Sequence, residues 1–214
     1  MTITTQDLRG LITAISTAIA ANTTMLNALD SQLGDGDHGT TISAGFAAAA
    51  EQMVVAVSPF DVLRLTGMTL MNRMGGSSGA LFGTLFMQAA TVVKEVETVS
   101  LKQFAAMWQA GGDGVMKRGK AAPGDKTMVD ALSPAITALH QAAEKGETME
   151  QALQAAAAAA EQGAKDTAGM KARYGRAQYV GERAIGHVDA GAQSVALMFS
   201  AMYNYWKGKD DGEA

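Results

Sequence analysis

The sequence predicts an all-α protein, an antiparallel barrel or bundle of about eight amphipathic helices. Three observations carry that reading: apolar residues recur at helical spacing along most of the chain, helix-start signals repeat, and strand-like alternation is rare. The first stripe is Leu8, Leu11, Ile12, Ile15 and Ile19, whose i, i+3, i+4, i+7 order sets one apolar face against a core.

In chain order, helices are expected near 5–27, 38–56, 59–73, 77–95, 100–118, 126–145, 148–168 and 191–206. The second opens where an aspartate- and glycine-rich run ends at His38. The third opens at Ser58-Pro59, since proline at the first helical position lacks only an N–H that would have no partner there. The fourth follows the glycine-rich turn Gly75 to Gly79. Ser100 three residues before Gln103, and Thr148 three before Gln151, are capping boxes that open the fifth and seventh. Six alanines, Ala155 to Ala160, suit the seventh to close helix packing. The eighth follows a long break, Thr167 to Ala190, rich in glycine and charge, and connections of that length are usually functional or disordered. Helices of about 20 residues are about 30 Å long, and short connections make neighbours antiparallel. Periodicity does not decide between barrel and bundle.

At 214 residues the chain is expected to form one domain over 1–214, with the polar end 207–214 (KGKDDGEA) as a flexible tail. The 48% hydrophobic and 18% charged composition is that of a packed globular protein. Cysteine is absent, which excludes disulfides and thiolate metal sites, fits a reducing cytoplasm, and leaves oxygen and nitrogen atoms to hold any metal. A net charge of -4 without a Lys/Arg cluster argues against nucleic acid. The N-terminus lacks the pattern of a signal peptide, and no run of 18 apolar residues occurs, so no membrane partner and a cytoplasmic location are expected.

Chemistry concentrates in four glycine-rich segments. The densest is Asp30 to Thr41 (DSQLGDGDHGTT), where Asp30, Asp35 and Asp37 put three carboxylates in a tight turn before a helix. Hard cations such as Mg2+ take oxygen ligands of this kind; an ordinary Asx-rich turn with an N-cap is the structural alternative. A calcium loop fits less well, because Thr41 to Ala50 offers no closing Glu. His38, at the expected helix start where backbone N–H groups favour anions, reads as a phosphate-contacting donor, a metal ligand or a helix-capping neighbour. The second segment, Gly75 to Gly79, offers amides and the hydroxyls of Ser77 and Ser78 to a phosphate, or simply lets two helices approach. The third, Arg118 to Met128, imitates a P-loop, but Asp125 interrupts the Gly-Lys-Thr order and no strand precedes it. It reads either as a cover over a nucleotide base, with Met128 against it, or as an interhelix turn with solvated lysines. The fourth, Arg173 to Gly191, sets Arg173, Arg176, Arg183, His187 and Asp189 among glycines, a pattern suited to anion capture or to a solvated loop. In an antiparallel bundle, four turns at alternate helix ends can share one end and one anion site.

Over essentially its whole length the chain resembles the L subunits of dihydroxyacetone kinase. The resemblance is carried by LGDGDHGTT at Leu33 to Thr41, GGSSGALFGTLF at Gly75 to Phe86, RGKAAPGDKTMVDAL at Arg118 to Leu132, and GRAQYVGERAIGHVDAG at Gly175 to Gly191. It implies a barrel of eight antiparallel amphipathic helices with ADP or ATP at one end, its phosphates bridged by two Mg2+ ions. By position it implies that Asp30, Asp35 and Asp37 hold the metals, that His38, Gly39, Thr40 and Thr41 line the phosphates, and that Ser77 and Ser78 add phosphate contacts. Gly119 and Met128 would cover the nucleotide, Arg176 would stand on the phosphate side, and Asp189, Ala190 and Gly191 would close the site. Ala190 stands where members often carry proline, which bears on the rigidity of that loop. The implied function is a phosphotransferase relay from a phosphohistidine M subunit of the phosphotransferase system to dihydroxyacetone held on a separate K subunit. The alternatives are an ATP-dependent kinase subunit for another short ketose, or a nucleotide-sensing regulatory partner of a transcription factor.

Overall fold

The computed structural model describes residues 2–210. Among them are nine α-helices: α1 (Thr5–Ala21), α2 (Thr23–Leu33), α3 (His38–Glu51), α4 (Pro59–Arg73), α5 (Gly76–Ala90), α6 (Leu101–Gly119), α7 (Val129–Lys145), α8 (Met149–Asp166) and α9 (Ala190–Asp210). Short 3-10 segments lie at Gln52–Val55, Thr91–Val93, Thr167–Gly169 and Arg176–Ala184. The described β pairing is an isolated antiparallel bridge between Ile3 and Val99.

Local signals place most helix starts. Ser58 accepts the Asp61 N–H at 3.1 Å ahead of Pro59, and α4 has the bounds the sequence predicts. Both expected capping boxes form, Ser100 with Gln103 and Thr148 with Gln151, and a further one joins Thr4 and Asp7. The expected first helix, 5–27, is two. It breaks at Asn22, whose side-chain amide donates to the Ala18 carbonyl at 2.8 Å, so a freed carbonyl of α1 is satisfied without glycine or proline. The second piece, α2, then runs on to Leu33 and carries Asp30 on its last turn. At the other end, α9 continues to Asp210, well into the expected tail; 211–214 lie outside the described residues.

Eight helices close into a ring, each packed on the next in the order α1, α3, α4, α5, α6, α7, α8, α9 and back to α1, while α2 packs against α3 and α9. This is the barrel that periodicity left undecided. Small residues let the helices close up: a Cβ at Gly111 would sit 2.7 Å from the Leu85 carbonyl, and one at Gly163 only 2.2 Å from that of Asp130. Pro134 inside α7 lacks the N–H that would occupy the Asp130 carbonyl, and α8 crosses there at Gly163. The interior is filled by Phe46, Phe82, Phe86, Phe104, Trp108 and Phe199, whose neighbouring ring centroids lie 4.8 to 6.4 Å apart in edge-on or tilted pairs. Such pairs add about 0.5–1.5 kcal/mol each beyond the area they bury. Alternating helix directions bring the ends of α2, α4, α6 and α8 and the starts of α3, α5, α7 and α9 to one end of the barrel.

Candidate functional site

That end holds a cavity of about 620 Å³, within the size range of small-molecule sites. All four glycine-rich segments line it, including Asp30, Asp35, Asp37, His38, Thr41, Ser77, Ser78, Gly119, Met128, Arg176, Asp189, Ala190 and Gly191. Gly39 and Thr40 do not. A Cβ at Gly39 would lie 2.2 Å from the Thr23 carbonyl, and Thr40 exchanges two hydrogen bonds with the Asn27 side chain, so both face α2. The helical period sets these two against α2, while His38 and Thr41 face the cavity.

One oxygen from each of Asp30, Asp35 and Asp37 lies within 4.8 Å of the others. Asp30 Oδ2 accepts the backbone N–H groups of Gly36, Asp37 and His38 at 2.9, 3.0 and 3.2 Å. Asp30 thus takes up the backbone N–H groups that lead into α3 and also offers a carboxylate oxygen to the converging set. A side chain at Gly34 would crowd it, since a Cβ there would stand 2.6 Å from Asp30 Oδ1. Three hard oxygen donors with room for water or phosphate beside them fit Mg2+. Arg176 pairs with Asp35, and its hydrogen bond holds that carboxyl below the usual carboxylate range.

His38, 8% exposed, is fixed on two sides: Nε2 lies 2.8 Å from Ser194 Oγ on α9, and Nδ1 3.5 Å from Ser78 Oγ on α5. Burial pushes its pKa below the ordinary value, against the smaller opposing pull of Asp30 and Asp37. The exposed Gly75, Gly76 and Ser77 and the half-buried Ser78 open α5 at the rim. Deeper, Leu81, Phe82, Val115, Ala121, Met128 and Val129 form an apolar wall, and Gly119 keeps it open, since a Cβ there would reach 3.2 Å from Leu81. An apolar slot behind a polar, metal-competent rim matches the two ends of a nucleotide.

Asp189 caps α9, accepting the Ala192 N–H at 2.8 Å, and its carboxyl is pushed up to about 6, first by desolvation. Ala190 occupies the first helical position, which proline also favours, so alanine leaves the helix start intact.

Sequence reasoning missed three residues here. Lys126, grouped with solvated lysines, is 1% exposed. Ser194 lies a turn inside α9 with no local mark of a role, and Tyr174 lines the cavity from the long connection. No described helix is long and apolar enough to cross a membrane.

The DAK2 domain family model matches residues 32–204. The PEP-dependent dihydroxyacetone kinase, ADP-binding subunit DhaL, of Escherichia coli K12 is 43% identical over 180 residues, which is 83% of this chain and 85% of that protein. The L-erythrulose kinase of Pectobacterium atrosepticum is 36% identical over 188 residues, 86% of this chain but 32% of its own length. The dihydroxyacetone kinase of C. freundii, solved in complex with AMP-PNP and Mg2+, superposes with a TM-score of 0.69 at 31% identity, over 92% of this chain and 33% of that one. The chain belongs to the DAK2 domain family, among the L subunits of the dihydroxyacetone kinases, a family of phosphotransferases.

Proposed function

We propose that this chain holds ADP or ATP with two Mg2+ ions in the barrel-end cavity and carries a phosphoryl group from a phosphohistidine M subunit of the phosphotransferase system to dihydroxyacetone on a separate K subunit. The observation that carries the proposal is the convergence of Asp30, Asp35 and Asp37 beside Arg176 at the mouth of a cavity of nucleotide size. The E. coli relative, named an ADP-binding subunit, supports it.

Asp30, Asp35 and Asp37 would hold the metals, whose charge offsets that of the phosphates during in-line transfer. His38, Thr41, Ser77 and Ser78 line the phosphate end, and Arg176 turns from Asp35 toward a phosphate oxygen. Gly119 and Met128 cover the base, and Asp189, Ala190 and Gly191 close the site. Gly39 acts by letting α3 sit against α2. The buried, neutral imidazole of His38 places hydrogen bonds without adding charge. The protein thus contributes position and electrostatics more than covalent chemistry. The receiving hydroxyl comes from the partner subunit.

The decisive experiment identifies the nucleotide retained by the purified chain, then adds K subunit and dihydroxyacetone with either phosphorylated M protein or ATP. Turnover with the phosphoprotein alone supports the relay; turnover with ATP alone replaces it with an ATP-dependent kinase. The L-erythrulose kinase relative makes that short ketose the second acceptor to assay. No turnover with either donor or acceptor would leave a nucleotide-sensing partner of a transcription regulator in place of the enzyme subunit.

A further inference from the structure

The loop between α6 and α7 buries a cation that neither the metal cluster nor the phosphate rim employs. Lys126 adopts a left-handed backbone (φ 61°) and is 1% exposed, and its ammonium donates to the carbonyls of Thr167 and His187, each at 2.5 Å. These carbonyls are the two feet of the connection between α8 and α9. The feet are also tied to each other: the Gly186 N–H donates to the Ala168 carbonyl at 2.7 Å, and the Asp189 N–H to Thr167 Oγ1 at 2.9 Å.

Between its feet the connection is mostly exposed and rests on few supports. One is Asp125, next to Lys126: its carbonyl accepts the Arg173 N–H at 3.2 Å and its carboxylate faces the Arg173 guanidinium at 3.3 Å. The others lie across the cavity, where Ala172, Ala177 and Ala184 cluster with Leu33 of α2 and Arg176 pairs with Asp35. The connection is therefore a strap spanning the cavity from the α6–α7 loop to α2, and it brings Tyr174, Arg176 and Asp189 to the site.

Burying an ammonium group is costly unless its donors are satisfied and opposite charge is near. Asp189 and Asp130 are the acidic groups that act on Lys126, while burial lowers its pKa. An apolar side chain would fill the same space at less cost in desolvation, but it could not bond two carbonyls twenty residues apart in the chain. We propose that Lys126 is a positioning residue that pins both feet of the 167–189 strap and so governs how long a nucleotide stays in the cavity. The inference rests on the nucleotide site proposed above.

Lys126→Met keeps the length of the side chain and removes its donors. In stopped-flow displacement of a fluorescent ADP analogue with Mg2+, the variant should release nucleotide about tenfold faster, as expected for losing a hydrogen-bonded charge. Association should change less than about threefold, because most changes within one site fall on the off-rate. Lys126→Arg, which keeps a cationic donor, should recover part of the retention. In hydrogen exchange, the amides of Arg173, Gly186 and Asp189 should lose protection in Lys126→Met while those of α1 and α3 keep theirs. A folded Lys126→Met with the parental off-rate and parental strap protection would overturn the proposal. Should that variant fail to fold, the unmodified chain decides. A strap pinned at both feet opens as a unit, so those three amides should share one opening free energy, and unrelated values would overturn the pin. Failure of the unmodified chain to bind the ADP analogue would instead count against the nucleotide site, and the exchange measurement would still judge the strap.

Discussion

His38 Nε2 lies 2.8 Å from Ser194 Oγ, and Ser194 in turn donates its hydroxyl to the Ala190 carbonyl at 2.9 Å. The serine proton is committed to that carbonyl, so the imidazole donates from Nε2 and leaves Nδ1 bare toward Ser78. The expected 15N shifts of His38 in the folded chain are those of an Nε2-protonated neutral ring. Ser194→Ala should redistribute the tautomers and cost about 1–2 kcal/mol in urea denaturation, because a buried donor loses its partner. An Nδ1-protonated ring in the parent would contradict the assignment.

Asp35 and Arg176 make opposite predictions for metal and for nucleotide. Asp35→Asn should strongly weaken retention of ADP while leaving the circular dichroism of the helices unchanged; equal occupancy in native mass spectrometry would refute the metal role. In Arg176→Ala the carboxyl of Asp35 loses the hydrogen bond that keeps it acidic. Mn2+ without nucleotide should then bind as well or slightly better, since a competing cation is gone, while ADP with Mg2+ is held more weakly. Both exposed partners exchange with solvent, so the change in metal affinity should stay within a few-fold.

Gly163 is where α8 crosses the carbonyl of Asp130, to which Pro134 has no N–H to donate. Gly163→Ala would ordinarily strengthen a helix by about 1 kcal/mol. Here the added carbon would meet backbone rather than a side chain that could swing away. A net loss of about 1–3 kcal/mol in urea denaturation is expected.

Asp189 should give the ligand-free protein a characteristic pH response. Its folded-state carboxyl is raised to about 6 from the ordinary 3.8, first by desolvation, so between those values the folded chain binds more proton than the unfolded one. Stability from this group therefore falls as pH rises from about 4 to about 6 and is flat outside that window. Asp189→Asn keeps an oxygen for the Ala192 N–H and removes the titration. The thermal midpoints of variant and parent should diverge across that window, with the variant gaining relative to the parent as pH rises. Parallel curves would exclude Asp189 as the source.

Much of the helical order is legible from neighbouring residues alone. The start of α4 needs only Ser58 and Pro59, and those of α6 and α8 only their capping boxes, because a cap satisfies donors three residues away. The break at Asn22 escaped because an asparagine amide replaces the glycine or proline that usually marks a helix end. In the candidate site, Asp30, Asp35 and Asp37 stand out by their spacing, yet the spacing hides that Asp30 is helical and also accepts the backbone N–H groups leading into α3. Lys120 and Lys126 illustrate the limit: both are lysines of one loop, but the first is exposed and the second is enclosed by carbonyls of the connection between α8 and α9, distant in sequence.

What the sequence determined by itself is therefore what short-range physics governs: helical periodicity, capped starts, the acidic cluster and the glycine-rich turns. Tertiary structure alone decided that α9 closes on α1 to make a barrel, that Gly39 and Thr40 turn away from the cavity, and that His38 meets Ser194 and Lys126 meets Thr167 and His187. Periodicity records which face of a helix is buried, whereas these pairings depend on which distant backbone or side chain arrives against that face once the ring has closed.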